Sequence, residues 1–349
     1  MLTLLLAFVT AFLLTYALIP VIIHVARQRG LYDKPNERSA HTEITPSLGG
    51  IGIFVGMICA VVLWCPALVF SNLQYILAGL MIIILVGTVD DISPIRPRHK
   101  LLVQILVAVI LIYKAQVQVT DLHGILGIAQ MPEWLSFTLS LLAIVGIINA
   151  FNLIDGINGL AGSIGFLACV VWGGLFYAGR DMALAVLCAA LGGALLAFLR
   201  YNWTPARIFM GDTGSMLIGT LAAILSLRFV EMHIPGPIPP VSGLQSAPAF
   251  ALALLVWPVF DTLQVFVVRL AKRRSPFYPD KNHVHHHLLR AGMSHTRATV
   301  LLVAINMFLL LFVKMLDGLG SSVLIALILI IAATLNGVFV YFEKKDQKS

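Results

Sequence analysis

Charged residues are scarce in this 349-residue chain, of which 11% is Asp, Glu, Lys or Arg and 59% is hydrophobic. Soluble globular domains carry about 25% charged and about 45–50% apolar residues. The mean hydropathy is +0.95. This composition excludes a soluble enzyme, a disordered chain and a secreted disulfide scaffold, and it predicts a polytopic membrane protein.

Cysteine is also rare, and its spacing lacks any CxxC pair. All four cysteines lie in or beside apolar runs, which is typical of small buried side chains rather than of a disulfide or metal framework; they are Cys59, Cys65, Cys169 and Cys188. The net charge of +7 comes from basic residues in short connections between apolar runs. That distribution indicates membrane orientation and argues against nucleic-acid binding.

Long apolar runs dominate the chain, and a bilayer span needs about 20 such residues. Arg27 and Arg29 follow the first run and no basic segment precedes it, so it is predicted to be a retained span with its N-terminus outside. With that orientation, 19 of the 23 Lys and Arg residues fall on the cytoplasmic side. Eleven runs qualify: roughly 2–23, 48–70, 72–89, 101–119, 134–152, 157–178, 181–199, 213–230, 248–269, 298–316 and 321–342.

The predicted fold is therefore all-α. It is a polytopic membrane helical bundle of about 11 transmembrane helices, with the N-terminus outside and the C-terminus cytoplasmic. No separate soluble domain is evident, so residues 1–349 are expected to form one integral membrane domain.

Polar motifs cluster at one predicted membrane face. Four carboxylates and four histidines at a single interface would be costly to desolvate and would repel one another, and a cation or a phosphate-bearing ligand would offset that cost. One alternative is simple helix capping, which for the first aspartate pair is about as plausible as a site. The motifs are Asp90–Asp91 after the third span, Asp155 after the fifth, Asp212 at the start of the eighth, and Asn282-His283-Val284-His285-His286-His287 in a long loop.

Three polar residues at the end of the fifth span are spaced three positions apart in the sequence: Asn152, Asp155 and Asn158. On a continuous helix they would share one face. Gly156 and Gly159 would let a ligand or a second helix approach the backbone closely. A polar packing seam is the alternative, and the aspartate at its centre favours a functional site.

The remaining polar segments also leave alternatives open. Gly211-Asp212-Thr213-Gly214-Ser215 precedes an apolar helix and suits a phosphate bridged by Mg²⁺, although Asp212 could be a simple N-cap. The histidine run could hold a transition metal, but nearby basic residues favour an anion. Asp261 lies inside the ninth span after Pro258, and faces a polar cavity or pairs with another helix.

With these motifs the chain resembles the polyprenyl-phosphate N-acetylhexosamine-1-phosphate transferases of glycosyltransferase family 4, and within them the undecaprenyl-phosphate GlcNAc-1-phosphate transferase branch. The resemblance extends from Asp33–Arg38 to the histidine motif. It implies a helical bundle in the bacterial cytoplasmic membrane with a cytoplasmic active site. It also implies Mg²⁺, with Mn²⁺ able to substitute, and transfer of a sugar-1-phosphate from a UDP-N-acetylhexosamine to undecaprenyl phosphate. UMP is released, and envelope polysaccharide synthesis begins.

The resemblance also implies residue roles. The expected catalytic residues are Asp90, Asp91, Asp155, His285 and His286, and the expected Mg²⁺ ligands come from Asp90, Asp91, Asp155 and Asp212. Whether Asp90 is a base or only orients the lipid phosphate stays open. One departure is Asn158, which replaces the second acidic residue of the family motif. The expected substrate-binding residues are Ser47, Asn152, Asn158, Phe209 (a candidate to stack on uracil), Gly211, His283, His287, Arg273 and Arg274.

Other functions are compatible with parts of the pattern. Within the enzyme class, the alternative is a phospho-MurNAc-pentapeptide transferase of peptidoglycan synthesis. A secondary transporter is another, but transporter sites lie near the midplane between repeats, and this chain has no evident repeat. A purely structural membrane protein would have little reason to concentrate carboxylates at one face. The oligomeric state, a homodimer among the options, stays open.

Overall fold

The computed structural model describes residues 1–31, 45–66, 70–234, 243–271 and 283–346 of the chain. Within these residues it contains thirteen α-helices and one β-hairpin. The elements are α1 (Leu2–Arg29), α2 (Gly49–Trp64), α3 (Phe70–Ile92), α4 (Pro97–Ala115), β1 (Asp121–Ile125), β2 (Ile128–Gln130), α5 (Glu133–Ile154), α6 (Leu160–Ala178), α7 (Met182–Asn202), α8 (Gly211–Glu231), α9 (Ala247–Leu254), α10 (Val256–Ala271), α11 (Val284–Arg290), α12 (His295–Met315) and α13 (Ser321–Asp346).

The prediction of an all-α polytopic bundle is confirmed. Every predicted span overlaps a helix, and eight of the described helices are long and apolar enough to cross a membrane. The count rises to nine if α9 and α10 form one span. Among the remaining helices, α2 is apolar but has 16 residues, and α4 has 19. The total of eleven spans and the orientation of the termini remain predictions.

The ninth predicted span is not one helix, which corrects the expectation for residues 248–269. The chain bends by 84° between α9 and α10. Pro258 lacks an N–H group and therefore cannot donate to the carbonyl of Leu254, as a continuous helix would require. Asn306 of α12 donates its Nδ2 to that carbonyl instead, at 2.8 Å. The side-chain amide thus stabilises the break from a neighbouring helix.

A short antiparallel hairpin, β1–β2, joins α4 to α5 and was not predicted. The carboxylate of Glu231 fixes the chain just before it, because Glu231 accepts from the backbone N–H of Thr120 at 2.9 Å and from its hydroxyl at 2.7 Å. Leu126 lies at the exposed tip of the hairpin. The hairpin marks the end of the bundle at which α8 finishes.

Helix α8 is the centre of the bundle and packs against α2, α3, α5 and α6. Glycines let two neighbouring helices approach its first turn closely. A Cβ added at Gly50 of α2 would lie 2.2 Å from the backbone nitrogen of Gly214, and one added at Gly87 of α3 would lie 2.6 Å from the Cα of Thr213. The start of α8 is therefore enclosed by the end of α3 and the beginning of α2. We call this side of the bundle, where α3 and α5 end and α4 and α8 begin, the Asp90 end.

Candidate active site

The first turn of α8 is held by a carboxylate from another helix. Asp91, in the last turn of α3, accepts from the backbone N–H groups of Asp212 at 2.7 Å and Thr213 at 3.0 Å, and from the Thr213 hydroxyl at 2.5 Å. Both oxygens of Asp91 are engaged in this way. A helix begins with N–H groups that lack intrahelical partners, and Asp91 satisfies two of them across the interface.

The loop that leads into α8 is equally constrained. The backbone of Phe209 donates to Pro46 at 2.7 Å and accepts from Gly49 at 3.0 Å, so residues 46–49 run beside it. Gly211 has a φ of 72°, and a Cβ there would lie 2.0 Å from the carbonyl oxygen of Ser47. Only glycine combines that backbone conformation with this close approach. Ser47, Phe209 and Gly211, all predicted to bind substrate, are thereby brought beside Asp212.

Lys100 joins two of the predicted carboxylates. Its ammonium group donates to Asp90 Oδ2 at 3.0 Å and forms an ion pair with Asp212 Oδ2. The second oxygen of Asp90 accepts from the N–H of Ile95 at 2.6 Å, and that of Asp212 accepts from Asn152 Nδ2 at 2.8 Å. Asp90, Lys100, Asn152 and Asp212 are referred to below as the carboxylate cluster.

Lys100 was not predicted as a site residue, and in the sequence it contributed only to the charge count for membrane orientation. The available signal was its position, because Pro97 starts α4 and Lys100 follows in the first turn, ten residues after Asp90. A short connection between two antiparallel helices brings such residues together. Charge counting treats every lysine alike and could not distinguish this one.

Asp155 lies directly after α5 and close to the cluster. Its pKa is raised well above its usual value of 3.8, first by burial and then by the negative charges of Asp212 and Asp91. A bound cation or a proton would relieve that repulsion. Asp155 is therefore within electrostatic reach of Asp212, a member of the carboxylate cluster.

Asn158 does not share a helix face with Asn152, which corrects the predicted spacing. Helix α5 ends at Ile154, because the ψ of 41° at Asp155 leaves helical geometry, and the chain turns again at Gly159, whose φ is 81°. The Asn158 amide donates to the Thr204 hydroxyl at 3.3 Å, and its backbone N–H donates to His295 Nδ1 at 3.3 Å. The side chain of Asn158 therefore contacts the loop after α7.

Residues Val284–His287 of the histidine motif begin α11, with His283 as its N-cap, and His285 packs against the loop that follows α5, whereas Asn282 lies outside the described residues. A Cβ on Gly156 would lie 2.2 Å from His285 Nε2, so this close approach requires a glycine. The His285 ring stacks on His283, with centroids 5.7 Å apart, and lies 4.3 Å from His286. The pKa of His285 is well below 6.5, first because the ring is buried and then because the other histidines surround it. His287 bonds to Glu343 of α13. The predicted site residues Arg273 and Arg274 lie outside the described residues.

The donor atoms fit a magnesium ion bound partly by substrate. Among the described residues, no three acidic, histidine or cysteine side chains converge on one metal position. Asp90 and Asp212 nevertheless direct one oxygen each at the same ammonium group. Mg²⁺ is commonly bound through one or two carboxylates and completes its shell with phosphate and water oxygens. Of the four predicted ligands, these two have the most suitable geometry, whereas the oxygens of Asp91 are engaged by α8.

Comparison with known proteins identifies the class. Residues 73–230 match the glycosyl transferase family 4 model. A decaprenyl-phosphate N-acetylglucosaminephosphotransferase of Mycolicibacterium smegmatis is 34% identical, over 84% of this chain and 77% of its own. An undecaprenyl-phosphate alpha-N-acetylglucosaminyl 1-phosphate transferase of Salmonella typhi is 32% identical, over 86% of this chain and 81% of its own. The corresponding Yersinia pestis protein is 30% identical, over 83% and 78%.

The chain therefore belongs to glycosyl transferase family 4. Its relatives place it, as predicted, in the branch of polyprenyl-phosphate N-acetylglucosamine-1-phosphate transferases, and it is a multi-pass membrane transferase.

Proposed function

We propose that this protein transfers GlcNAc-1-phosphate from UDP-GlcNAc to a polyprenyl phosphate, releasing UMP and leaving a polyprenyl-diphospho-GlcNAc in the membrane. The observation that carries the proposal is the convergence of Asp90, Lys100 and Asp212 beside Asn152 at one end of a membrane bundle. The names of the relatives support the choice of sugar and lipid. The bacterial cytoplasmic membrane, with the Asp90 end facing the cytoplasm, is the location that gives both substrates access.

The reaction exchanges one phosphoanhydride bond at the β-phosphorus for another, and the bond from that phosphorus to the sugar oxygen stays intact. An oxygen of the lipid phosphate attacks the β-phosphorus of UDP-GlcNAc, a new P–O bond forms, and the bond to the bridging oxygen of UMP breaks. A phosphate monoester is already ionised near neutral pH, so no strong base is needed. What the protein must supply is orientation and stabilisation of the added charge.

Each residue of the carboxylate cluster has a role in this proposal. The ammonium group of Lys100 pairs with Asp90 and Asp212 in the absence of substrate. When substrate binds, its phosphoryl oxygens compete with these two carboxylates for the ammonium group. Asn152 orients Asp212 through its amide, and Asp91 keeps the first turn of α8 in place. Mg²⁺, or Mn²⁺, would be held by Asp90 and Asp212, with Asp155 nearby, and would neutralise diphosphate charge.

The histidine motif supplies the other side of the site. His285 lies against Gly156 next to Asp155, so α11 and the carboxylate cluster border the same loop. Neutral imidazoles can donate hydrogen bonds to a diphosphate without adding a full positive charge. His285 and His286 are the members we assign to substrate.

The test is a detergent assay that measures UMP release with undecaprenyl phosphate and a panel of UDP-sugars. We expect UDP-GlcNAc to be the preferred donor, with UDP-MurNAc-pentapeptide inactive. EDTA should abolish turnover, and Mg²⁺ or Mn²⁺ should restore it. Inside-out membrane vesicles, unlike intact cells, should use added UDP-GlcNAc. Absence of UMP release with every donor would refute the proposal. Preference for UDP-MurNAc-pentapeptide would show that the proposed donor, UDP-GlcNAc, is wrong.

A further inference from the structure

Asp261 is a carboxylate buried in the helical bundle, with 1% of its surface exposed. It lies in the second turn of α10, after the break at Leu255. One oxygen accepts from the backbone N–H of Val284 at 2.8 Å, and the other contacts His283 Nδ1 at 2.7 Å. A carboxylate accepts hydrogen bonds, so Nδ1 carries the proton. A charge at this depth is stable only when paired and fully hydrogen-bonded.

A second carboxylate holds the other end of the same short helix. Glu343 of α13 contacts His287 Nδ1 at 2.5 Å through one oxygen and accepts from Arg290 at 2.9 Å through the other. His283 and His287 are four residues apart, so they lie on the same side of α11. Helices α10 and α13 therefore each bond to one end of α11 through a histidine of the motif.

The histidine between them is held differently. His285 is 2% exposed, and its Nδ1 has no hydrogen-bond partner in the described part of the chain. Its Nε2 approaches Gly156, beside Asp155. The motif is thus divided between two anchored histidines and one that approaches the loop of the candidate active site.

We infer that Asp261 is a positioning residue for the transfer reaction, acting through His283, and that Glu343 acts likewise through His287. Asp261 fixes which nitrogen of His283 carries the proton and places α11 so that His285 lies against Gly156. The inference rests on the proposed function. It assigns no substrate contact to Asp261 itself.

Asp261→Asn separates positioning from simple capping. The amide oxygen of asparagine can still accept from the N–H of Val284, so the start of α11 stays bonded. Its amide nitrogen is a donor, however, and would face Nδ1 of His283. The ring must then move its proton to Nε2. The variant preserves the packing volume and the backbone contact but reverses the tautomer.

The matched control is Asp317→Asn. Asp317 accepts from the backbone N–H groups of Gln245 at 2.7 Å and Ser246 at 2.8 Å, and it lies at the end of the bundle opposite to Asp90. Its replacement perturbs a comparable backbone interaction without touching α11. Thermal unfolding in detergent measures the structural cost of both variants.

We expect Asp261→Asn and Glu343→Gln to lower kcat by about 10- to 100-fold, by analogy with the loss of a group that orients a metal-bound histidine. The KM for UDP-GlcNAc should change less than kcat. Asp317→Asn should keep wild-type kcat. The double variant Asp261→Asn with His283→Ala should be no slower than His283→Ala alone, because both changes disrupt one interaction.

An unchanged kcat in Asp261→Asn, or losses that multiply in the double variant, would overturn the inference. Histidine-ring ¹⁵N NMR gives a readout independent of turnover. The spectrum should place the His283 proton on Nδ1 in the wild type and on Nε2 in Asp261→Asn, with His283→Ala identifying the signal. Identical tautomers in the two proteins would also overturn it. Failure of the wild type to release UMP would instead refute the proposed function.

Discussion

Lys100→Gln removes the ammonium group that joins Asp90 to Asp212, and it should abolish most turnover. Glutamine keeps a side chain of similar length and can donate one hydrogen bond, but it cannot compensate two carboxylates. The variant leaves Asp90 and Asp212 facing each other, and it also removes the cation that we assign to the substrate phosphates. Both consequences disfavour binding of a diphosphate.

The size of the effect can be bounded from the distances. A unit charge 3.0 Å from a carboxylate interacts by about 5.5 kcal/mol at an effective dielectric constant of about 20. Lys100 and its partners are partly accessible to solvent, with side chains 13–28% exposed, so that figure is an upper bound. Loss of one preorganised donor to a developing negative charge costs about 2.7–4 kcal/mol in oxyanion holes. We therefore expect kcat/KM to fall by about 10²- to 10³-fold.

The control lies on the same helix. Lys114 is an exposed lysine in the last turn of α4, at the end away from Asp90. Lys114→Gln removes an identical charge from the same element and should retain wild-type kcat/KM. Initial rates of UMP release, with UDP-GlcNAc and polyprenyl phosphate varied separately, measure both variants.

A third variant tests geometry. Lys100→Arg keeps the charge, but its planar group cannot reproduce the point contact of an ammonium with both carboxylates. It should recover part of the lost activity. Lys100→Gln with at least one third of wild-type kcat/KM would refute the reasoning, and so would an equal loss in Lys114→Gln.

Two further predictions concern stability. Asp91→Asn exchanges an acceptor oxygen for an amide donor that faces the first N–H groups of α8. It should therefore lower the free energy of unfolding by about 1–3 kcal/mol and reduce UMP release. The control Asp181→Asn, at the N-cap of α7, should release UMP at the wild-type rate. Burial holds the pKa of His285 below 6.5, whereas the unfolded chain gains a proton as the pH falls through about 6.5. The wild type should therefore lose stability below pH 6.5, by up to about 1.4 kcal/mol per pH unit, and His285→Asn should flatten that dependence in thermal unfolding; equal slopes would contradict it.

Much of the fold follows from composition and periodicity. Runs of about 20 apolar residues must satisfy their backbone groups internally, which in a membrane favours helices. The segments around α1, α5 and α8 were predicted for that reason and are helices. The break between α9 and α10 was not predicted, although Pro258 lies close to it. A proline within an apolar run can equally well produce only a kink. The hairpin after α4 was missed because short exposed strands carry little periodic signal.

The candidate site divides in a similar way. Asp90, Asp155 and Asp212 could be selected from the sequence because a carboxylate at the end of an apolar run is costly and therefore informative. Their mutual proximity was inferred from a common membrane face. Asn158 was misplaced because spacing by three assumes a continuous helix, whereas α5 ends at Ile154 and the backbone leaves helical geometry at Asp155.

What the sequence determined by itself was the class of protein, the helical character of its apolar runs and the set of polar side chains at one end. Tertiary structure decided how those side chains are used. Asp91 bonds to the start of α8 rather than facing the carboxylate cluster, Lys100 joins Asp90 to Asp212, and Asp261 pairs with His283 across 22 residues of chain. Each of these contacts joins different helices. Hydrophobic periodicity specifies which face of a helix is buried, whereas the partner of a buried charge depends on how neighbouring helices pack.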